Sequence, residues 1–486
     1  MNTILLQPTD VLFFRDGRPM TGSLTGHGAA WPMPNVINAA FHAALHRSGF
    51  AKEAHSHRRG VSGIYADDAQ RDRKFGSLVT AGPFPVKGRD AWFFPRPQDL
   101  QDATLQPGLL PTASFDSVQS SLSDPLEYAV ANRLPPSKES DAKTWLSRDA
   151  FETYLGTAKS KVTSAQLAGH TIDDSDLFDR EHSIGIGIDP KTGSQDGKSF
   201  YSAHYLRLRE SWQLGVCASA EDKEFKHEQH GKDLVTALLN GGRHQIIVGG
   251  QQRVCSANGV TGTAIPLPRG KVDGFNQRNG KFLVKWVLLS PAVWPGIADD
   301  EARSINAHPG GWLPNWINPQ NGEVLLKSGD LVRRESEGRE AWRQRARQQG
   351  NISARLVSAI VSKPLVITGW SIADDGGRAP RLRSGGAVAL ITAWCIADDG
   401  GANDSERNGG AQSAHLAVPA GAVYYFEASS AEEARKLAAA LNWHGSDARP
   451  ATIKNRRSAL LGEKGFGLGV CGTWEFFPDV GGRSTK

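Results

Sequence analysis

The stretch AVYYFEASSAEEARKLAAALNW, residues 422–443, joins two unlike halves. Residues 422–428 form a short apolar and aromatic run with the length of a buried strand. From residue 430 the period changes. Ala431, Ala434, Leu437, Ala438 and Leu441 recur at helical spacing, and Ser430 with Glu433 has the spacing of a capping box. The stretch therefore predicts a strand that runs directly into an amphipathic helix. Upstream, LVITGW (365–370) and AVALITAW (387–394) read as further strands, and REAWRQRAR (339–347) as a basic helical segment. Downstream, GEKGFGLGVCGTWEFF (462–477) runs glycines into a last strand.

The first part of the chain has the same mixture. TILL (3–6) and WFFP (92–95) are strand candidates. PNVINAAFHAALHRSG (34–49) reads as a helix, with Val36, Ile37, Ala40, Phe41, Ala44 and Leu45 on one stripe and Gly49 as its stop. RDAFETYLG (148–156) is a shorter helix with Phe151 and Leu155 on one face. SIGIGID (183–189) and FYSAHYLRLR (200–209) flank a turn-rich loop and predict a long β-hairpin. A helix at 232–242 precedes strands at 245–250 and 282–291, and residues 51–74 read as a loop or insertion. Past Pro291, residues 292–331 turn rich in Trp, Pro, Asn and Gly. Strand runs with few helices on both sides predict an α+β fold of two units, residues 1–291 and 292–486.

Lys plus Arg exceed Asp plus Glu by 56 to 51, a net charge of +5 with a pI near 8.9. That balance suits an RNA partner without demanding one. The four cysteines, Cys217, Cys255, Cys395 and Cys471, have no C-x-x-C spacing, which argues against a zinc ribbon or a disulfide framework and for a reducing cytosol. The N-terminus has no basic region before an apolar core. The most apolar stretch, 387–397, is about half the ~20 residues that span a bilayer. The expectation is a cytoplasmic protein with no membrane role.

Several motifs fail on context. Gly467, Gly469 and Gly472 match G-x-G-x-x-G, but TWEFFP follows, with no room for the βαβ unit a dinucleotide site needs. His227-Glu228-Gln229-His230 is one residue short of the zincin motif. IADDGG occurs at 372–377 and 396–401; acidic turns explain it better than a metal site built from Asp374, Asp375, Asp398 and Asp399. His42 and His46 share one helical face, where surface histidines are commoner than a functional pair. No metal and no cofactor is expected.

What remains is a set of basic residues among glycines and aromatics. Arg15 and Arg18 flank Asp16-Gly17, and Arg253 follows Gly249-Gly250. Arg378, Arg381 and Arg383 lie between glycine pairs, and Lys454, Arg456, Arg457 and Lys464 lead into Gly465-Phe466-Gly467. Glycine lets backbone N–H groups approach a phosphate, guanidinium forks add bidentate contacts, and an aromatic such as Phe466 offers a stacking platform. The pattern favours single-stranded RNA over duplex DNA, for which no groove-reading helix is present.

In this order, DVLFFRDGRPM (10–20), PMPNVINAAFHAAL (32–45), WLSRDAFETYLG (145–156), the hairpin from Ser183, VGGQQR (248–253), SKPLVITGW (362–370), VPAGAVYYFEA (418–428) and GEKGFGLGVCGTW (462–474) resemble the RAMP superfamily of CRISPR effector proteins. More narrowly, the chain resembles the third subunit of the type III-B (Cmr) complex, in the Cas-five-like group. The resemblance implies two ferredoxin-like (RRM-like) modules with loop and hairpin insertions. It implies a non-catalytic subunit that grips the 5′ handle of the CRISPR RNA and caps the complex. Its partners would be the large polymerase-like subunit and a backbone RAMP subunit, with target RNA met indirectly. Carried onto this chain, it points to Arg15, Arg18, Gly250, Arg253, Gly465, Phe466 and Gly467, with Arg378, Arg381, Arg383 and Lys464 added from the basic pattern. Segment 51–74 has no counterpart in that pattern.

Two other functions compete. One is a metal-independent RAMP endoribonuclease that processes precursor RNA with His42 or His46 as general base. The other is a carbohydrate- or ligand-binding α+β protein, suggested by 13 tryptophans, although core packing is their commoner role.

Overall fold

The computed structural model describes residues 1–14, 24–26, 31–48, 78–101, 104–113, 126–135, 142–189, 191–220, 233–240, 244–260, 264–299, 306–328, 337–367, 370–371, 410–411 and 415–478. In the first part these are β1 (Asn2–Pro8), α1 (Pro34–Arg47), β2 (Leu78–Lys87), β3 (Ala91–Pro95), β4 (Trp145–Ser147), α2 (Arg148–Leu155), β5 (Thr171–Ile172), β6 (Phe178–Ile188), β7 (Gln195–Leu208), β8 (Trp212–Ala220), α3 (Leu234–Leu239), β9 (His244–Ile247) and β10 (Val254–Val260). Eight of the strands form one antiparallel sheet in the order β9-β10-β1-β8-β2-β3-β4-β5. The hairpin β6–β7 stands apart, with Leu24–Gly26 paired in parallel to β7.

The second sheet is built from β11 (Asn276–Arg278), β12 (Lys281–Leu288), β13 (Ala354–Ile360), β14 (Val423–Ala428) and β15 (Gly469–Thr473), with helices α4 (Arg339–Gln348) and α5 (Ala431–Leu441). Its main path runs β15-β12-β14-β13, and β11 shares the β15 edge of β12. The strand expected to close the first unit, 282–291, is thus the central strand of the second sheet. By pairing, the chain passes from one sheet to the other between Val260 and Asn276, ahead of Pro291.

Strand alternation explains how the layers stack. Ile4 and Leu6 of β1 face Ile37, Phe41 and Leu45 of α1 and Leu234, Val235 and Leu238 of α3. Leu5, between them, joins Phe94, Phe151, Leu283, Val287, Tyr425 and Val470 in a second cluster. That cluster is the seam where the two sheets pack face to face. On the far side of β12, Val284, Trp286 and Leu288 meet Leu437 and Leu441 of α5. The order through the molecule is helices, sheet, sheet, helix. Trp286, Trp294 and Trp443 are fully buried, which places these tryptophans in the core and not on a glycan-binding surface.

The strand-to-helix stretch folds as expected. Ser430 Oγ accepts the Glu433 N–H at 3.2 Å. Glu433 does not complete the box; its carboxylate accepts the Ser353 N–H at 2.6 Å and so ties α5 to the start of β13. Helix α2 begins with Ser147 accepting the Ala150 N–H and ends at Gly156 in the left-handed region. The helix expected over 232–242 is shorter, Leu234–Leu239, because Asp233 caps it by accepting the Val235 N–H. Of the run 365–370, Leu365–Ile367 pairs with His415–Ala417, whereas the strand expected at 387–394 lies outside the described residues. On the hairpin, Ile184, Ile186 and Ile188 form an exposed row on one face, with Gly185 and Gly187 on the other. Among the described residues no helix is long and apolar enough to cross a membrane.

Candidate nucleic-acid interface

Two glycine turns carry the expected site residues that the structure describes. The first, Val248–Arg253, links β9 to β10. Gly249 has φ +79°, and a Cβ there would lie 2.6 Å from the Phe13 carbonyl oxygen. Gly250 donates its N–H to the same oxygen at 2.9 Å. The turn is therefore pressed onto Phe13-Phe14, the residues that lead into Arg15.

Arg253 lies on the outer edge of this turn. Its guanidinium stacks 4.9 Å above the Tyr205 ring, reaches Asp10 at 3.5 Å and donates to Gln251 Oε1 at 3.3 Å. Tyr205 donates to the same Gln251 oxygen at 2.8 Å, and its ring packs 5.5 Å from that of Phe13. Arg207 binds Asp10 at 3.0 Å and also pairs with Glu181. Next along the hairpin, His182 and His204 stack at 4.6 Å. A partly exposed polar surface results, drawn from the end of the β1 segment, the turn and the hairpin.

The second turn leads into β15. A 3-10 turn, Gly462–Lys464, passes to Gly465 (φ +95°), Phe466 and Gly467 (φ +74°). A Cβ on Gly467 would stand 2.1 Å from the Ser458 amide nitrogen, and one on Gly465 would stand 2.8 Å from the Thr80 carbonyl of β2. The second turn thus wedges between the sheets. Phe466 is fully buried with Val293, Ile367 and Ala417. The expectation that its ring offers a stacking platform is corrected: the ring fills an apolar gap, and close backbone packing accounts for the flanking glycines. The same correction applies to Gly250, whose Cβ would meet the Phe13 ring at 2.7 Å. Arg457 and Arg456 run alongside. Arg457 donates through Nε and Nη2 to Ala440 O at the end of α5. Arg456 has its Nε and Nη2 buried with no acceptor among the described residues.

Arg15, Arg18, Arg378, Arg381 and Arg383 lie outside the described residues, as do both IADDGG copies and His227–His230. Of the helical histidine pair, His42 has a buried Nε2, and the side chain of His46 is outside the description. Among the described residues no group of three His, Cys, Asp or Glu is arranged to hold a metal.

Sequence reading missed the polar centre of the seam. Lys285 and Asp99, both buried, pair at 3.1 Å. Tyr154 donates to Asp99 at 2.7 Å, Tyr425 reaches it at 3.4 Å, and the Lys285 ammonium sits 3.8 Å over the Tyr154 ring. Burial pushes the Lys285 ammonium down from its ordinary value, and Asp99 pulls it back up. Burial, then Asp99, raises the Tyr154 phenol well above its usual range. The signal was visible: a lysine inside the apolar run FLVKWVLL.

The family model described as CRISPR-associated protein (Cas_Cmr3) matches residues 4–474. The chain belongs to this CRISPR-associated family. That makes it a RAMP-type subunit of a type III CRISPR effector, as the motif order implied. No curated protein matches the sequence. Among solved structures, a chain of the type III-B Cmr-beta complex bound to cognate target RNA is similar at 12% identity, covering 87% of this chain and 86% of that one, with a TM-score of 0.34. A chain of the Csm3-Csm4 subcomplex in the type III-A CRISPR-Cas interference complex is similar at 8% identity, covering 87% and 92%, with a TM-score of 0.33. These scores are low, and the family assignment stands on the sequence match.

Proposed function

We propose that this family member is a non-catalytic RNA-binding subunit that holds the 5′ handle of the CRISPR RNA and caps a type III complex. Its neighbours in that role are the large polymerase-like subunit and a backbone RAMP subunit. The observation that carries the reading is the surface at Asp10, Phe13, Tyr205 and Arg253. Three segments far apart in sequence converge there on one stacked, partly exposed guanidinium. An arginine on an aromatic face beside a glycine turn suits a single strand, which needs a cation for its phosphates and a flat surface for a base.

Two ferredoxin-like modules are part of the same proposal. In chain order β1-α1-β2-β8-α3-β10 is a β-α-β-β-α-β series, and its strands lie in the order fourth, first, third, second. In the second sheet β12, β13, β14 and β15 repeat that order, with α5 before the last strand. The tryptophan-rich segment Trp294–Trp316 follows the first strand there and packs on the sheet through Trp294, Leu313 and Trp316. On this proposal the long insertions are the β6–β7 hairpin and the loops between strands.

The endoribonuclease alternative rests on His42 and His46. The buried Nε2 of His42 speaks against it, because a general base must reach the proton it removes. The test is binding of the purified chain to single-stranded RNAs with and without a repeat-derived 5′ handle, across a salt titration. Handle-dependent, salt-sensitive binding with intact RNA is expected. Metal-independent cleavage would put the endoribonuclease first. Binding to no RNA, alone or with the large subunit present, would overturn the proposal.

A further inference from the structure

Beside the seam, residues from both parts of the chain line a cavity of about 210 Å³. One side is made by Trp31, where the chain enters α1, by residues 82–84 of β2, and by Pro95 and Trp145 of β3 and β4. The other side comes from residues 289–291, which follow β12, from Leu365, and from residues 419–420, which precede β14. Six of the lining residues are prolines. Their fixed φ stiffens the walls, so that side chains cannot easily move inward to close the space. The turn at 419–421 is pinned as well. Gly421 donates to Leu288 O at 2.7 Å and accepts the Gln98 N–H at 2.9 Å. Interiors are normally packed closely enough to remove a void of this size, so stiff walls that keep one open point to an occupant.

The polar side chains of the lining are already engaged. Trp31 Nε1 donates to Pro83 O at 2.9 Å, Trp145 Nε1 donates to Asp174 Oδ1 at 2.9 Å, and Ser290 Oγ accepts the Leu468 N–H at 3.0 Å. The Trp31 and Trp145 rings meet edge to face at 5.5 Å. A guest therefore meets ring carbons, proline methylenes and alkyl groups, and no charged side chain. A polar or charged guest would lose its hydration without matching hydrogen bonds from these side chains. An apolar cavity of about 150 Å³ takes benzene, and the larger volume here has room for a second fused ring. We propose that this cavity is a binding site for a small, uncharged, apolar compound of two fused rings, held between the two parts of the chain. The site is separate from the surface at Arg253 and does not rest on the RNA-binding reading.

The test uses the full chain and two probes of the same outline, benzofuran and purine, followed by ligand NMR titration and by thermal unfolding. Benzofuran should bind and raise the unfolding temperature progressively with its concentration. Purine should bind at least about tenfold more weakly, because its ring nitrogens would be buried without partners. Ala420→Leu and Leu365→Phe each add carbon atoms to a different lining segment. Both should abolish benzofuran binding, and without probe they should unfold at the parent temperature or above it, because the void has been filled. If one of them fails to fold, the other carries the test. No benzofuran binding by the parent chain, or undiminished binding in the folded variants, would overturn the proposal. Purine binding as tightly as benzofuran would overturn the apolar assignment in favour of a nucleobase. Release of benzofuran when the large polymerase-like subunit joins would also overturn it, by showing that the ring is a side chain supplied by that partner.

Discussion

The two glycine turns look alike in sequence, each a glycine pair near basic residues, yet the structure uses them differently. Val248–Arg253 is pressed onto Phe13-Phe14 and keeps its arginine outward, stacked on Tyr205 and shared with Asp10. Gly462–Gly467 is pressed onto Thr80 and Ser458, buries its phenylalanine among Val293, Ile367 and Ala417, and engages Arg457 internally. A glycine beside an arginine thus says that backbone comes close to something; whether that is ligand or protein depends on what faces it.

The largest expected effect is on the buried turn. Gly467→Ala adds a Cβ 2.1 Å from a backbone nitrogen at a left-handed φ. Together, overpacking and the left-handed conformation cost about 2–5 kcal/mol. Gly249→Ala meets a carbonyl at 2.6 Å and should cost somewhat less, because its remaining close neighbours are ring atoms of Phe14 that can move. Urea unfolding of both variants checks the order. Equal and small losses would erase the difference between the turns.

Acid should also separate them. Behind the second turn, His444 Nε2 accepts the Gly270 N–H, and burial with Arg269 nearby pushes its imidazole down to about 4. An unfolded histidine titrates near 6.5, so the folded form is favoured fully above that pH and loses its advantage as pH falls towards 4. The loss attributable to this group is about 3 kcal/mol, from about 2.5 pH units at 1.36 kcal/mol each. His444→Gln should flatten stability between pH 6.5 and 4 by that portion, measured by denaturant midpoints. An unaltered slope would place the acid sensitivity elsewhere. The smallest stability effect belongs to Arg253→Ala. Its pair with Asp10 is partly exposed, with side chains 28% and 53% accessible, and exposed pairs contribute about 0–1 kcal/mol. Its RNA affinity should nonetheless fall several-fold in a filter-binding titration, and unchanged affinity would remove the first turn from the interface.

Much of this architecture was legible in the sequence. Period and capping located α1, α2 and α5, and alternating Ile and Gly located the hairpin, because local chemistry sets those elements. Sheet membership was not legible. FLVKWVLLSP reads as a strand wherever it pairs, and only partners at 423–428 and 469–473 assign it to the second sheet. The site was half legible. Arg253 is half-buried at the edge of its turn, whereas Phe466 shows that burial is a property of what packs around a residue and not of the motif containing it. Arg456, one basic residue among several in sequence, differs from Arg457 only in what its guanidinium edge finds.

The Asp99–Lys285 pair bears on motion. Its members lie 186 residues apart and on opposite sides of the seam. Hinging one sheet against the other would draw carboxylate from ammonium where no water waits to receive them, and parting such a pair costs about 3–5 kcal/mol. The pair is in effect a rivet through the centre of the molecule. The spacing between the two glycine turns is then a fixed gauge, set by the protein's own core. Rearrangement during assembly has to come from the partners or from the outlying hairpin.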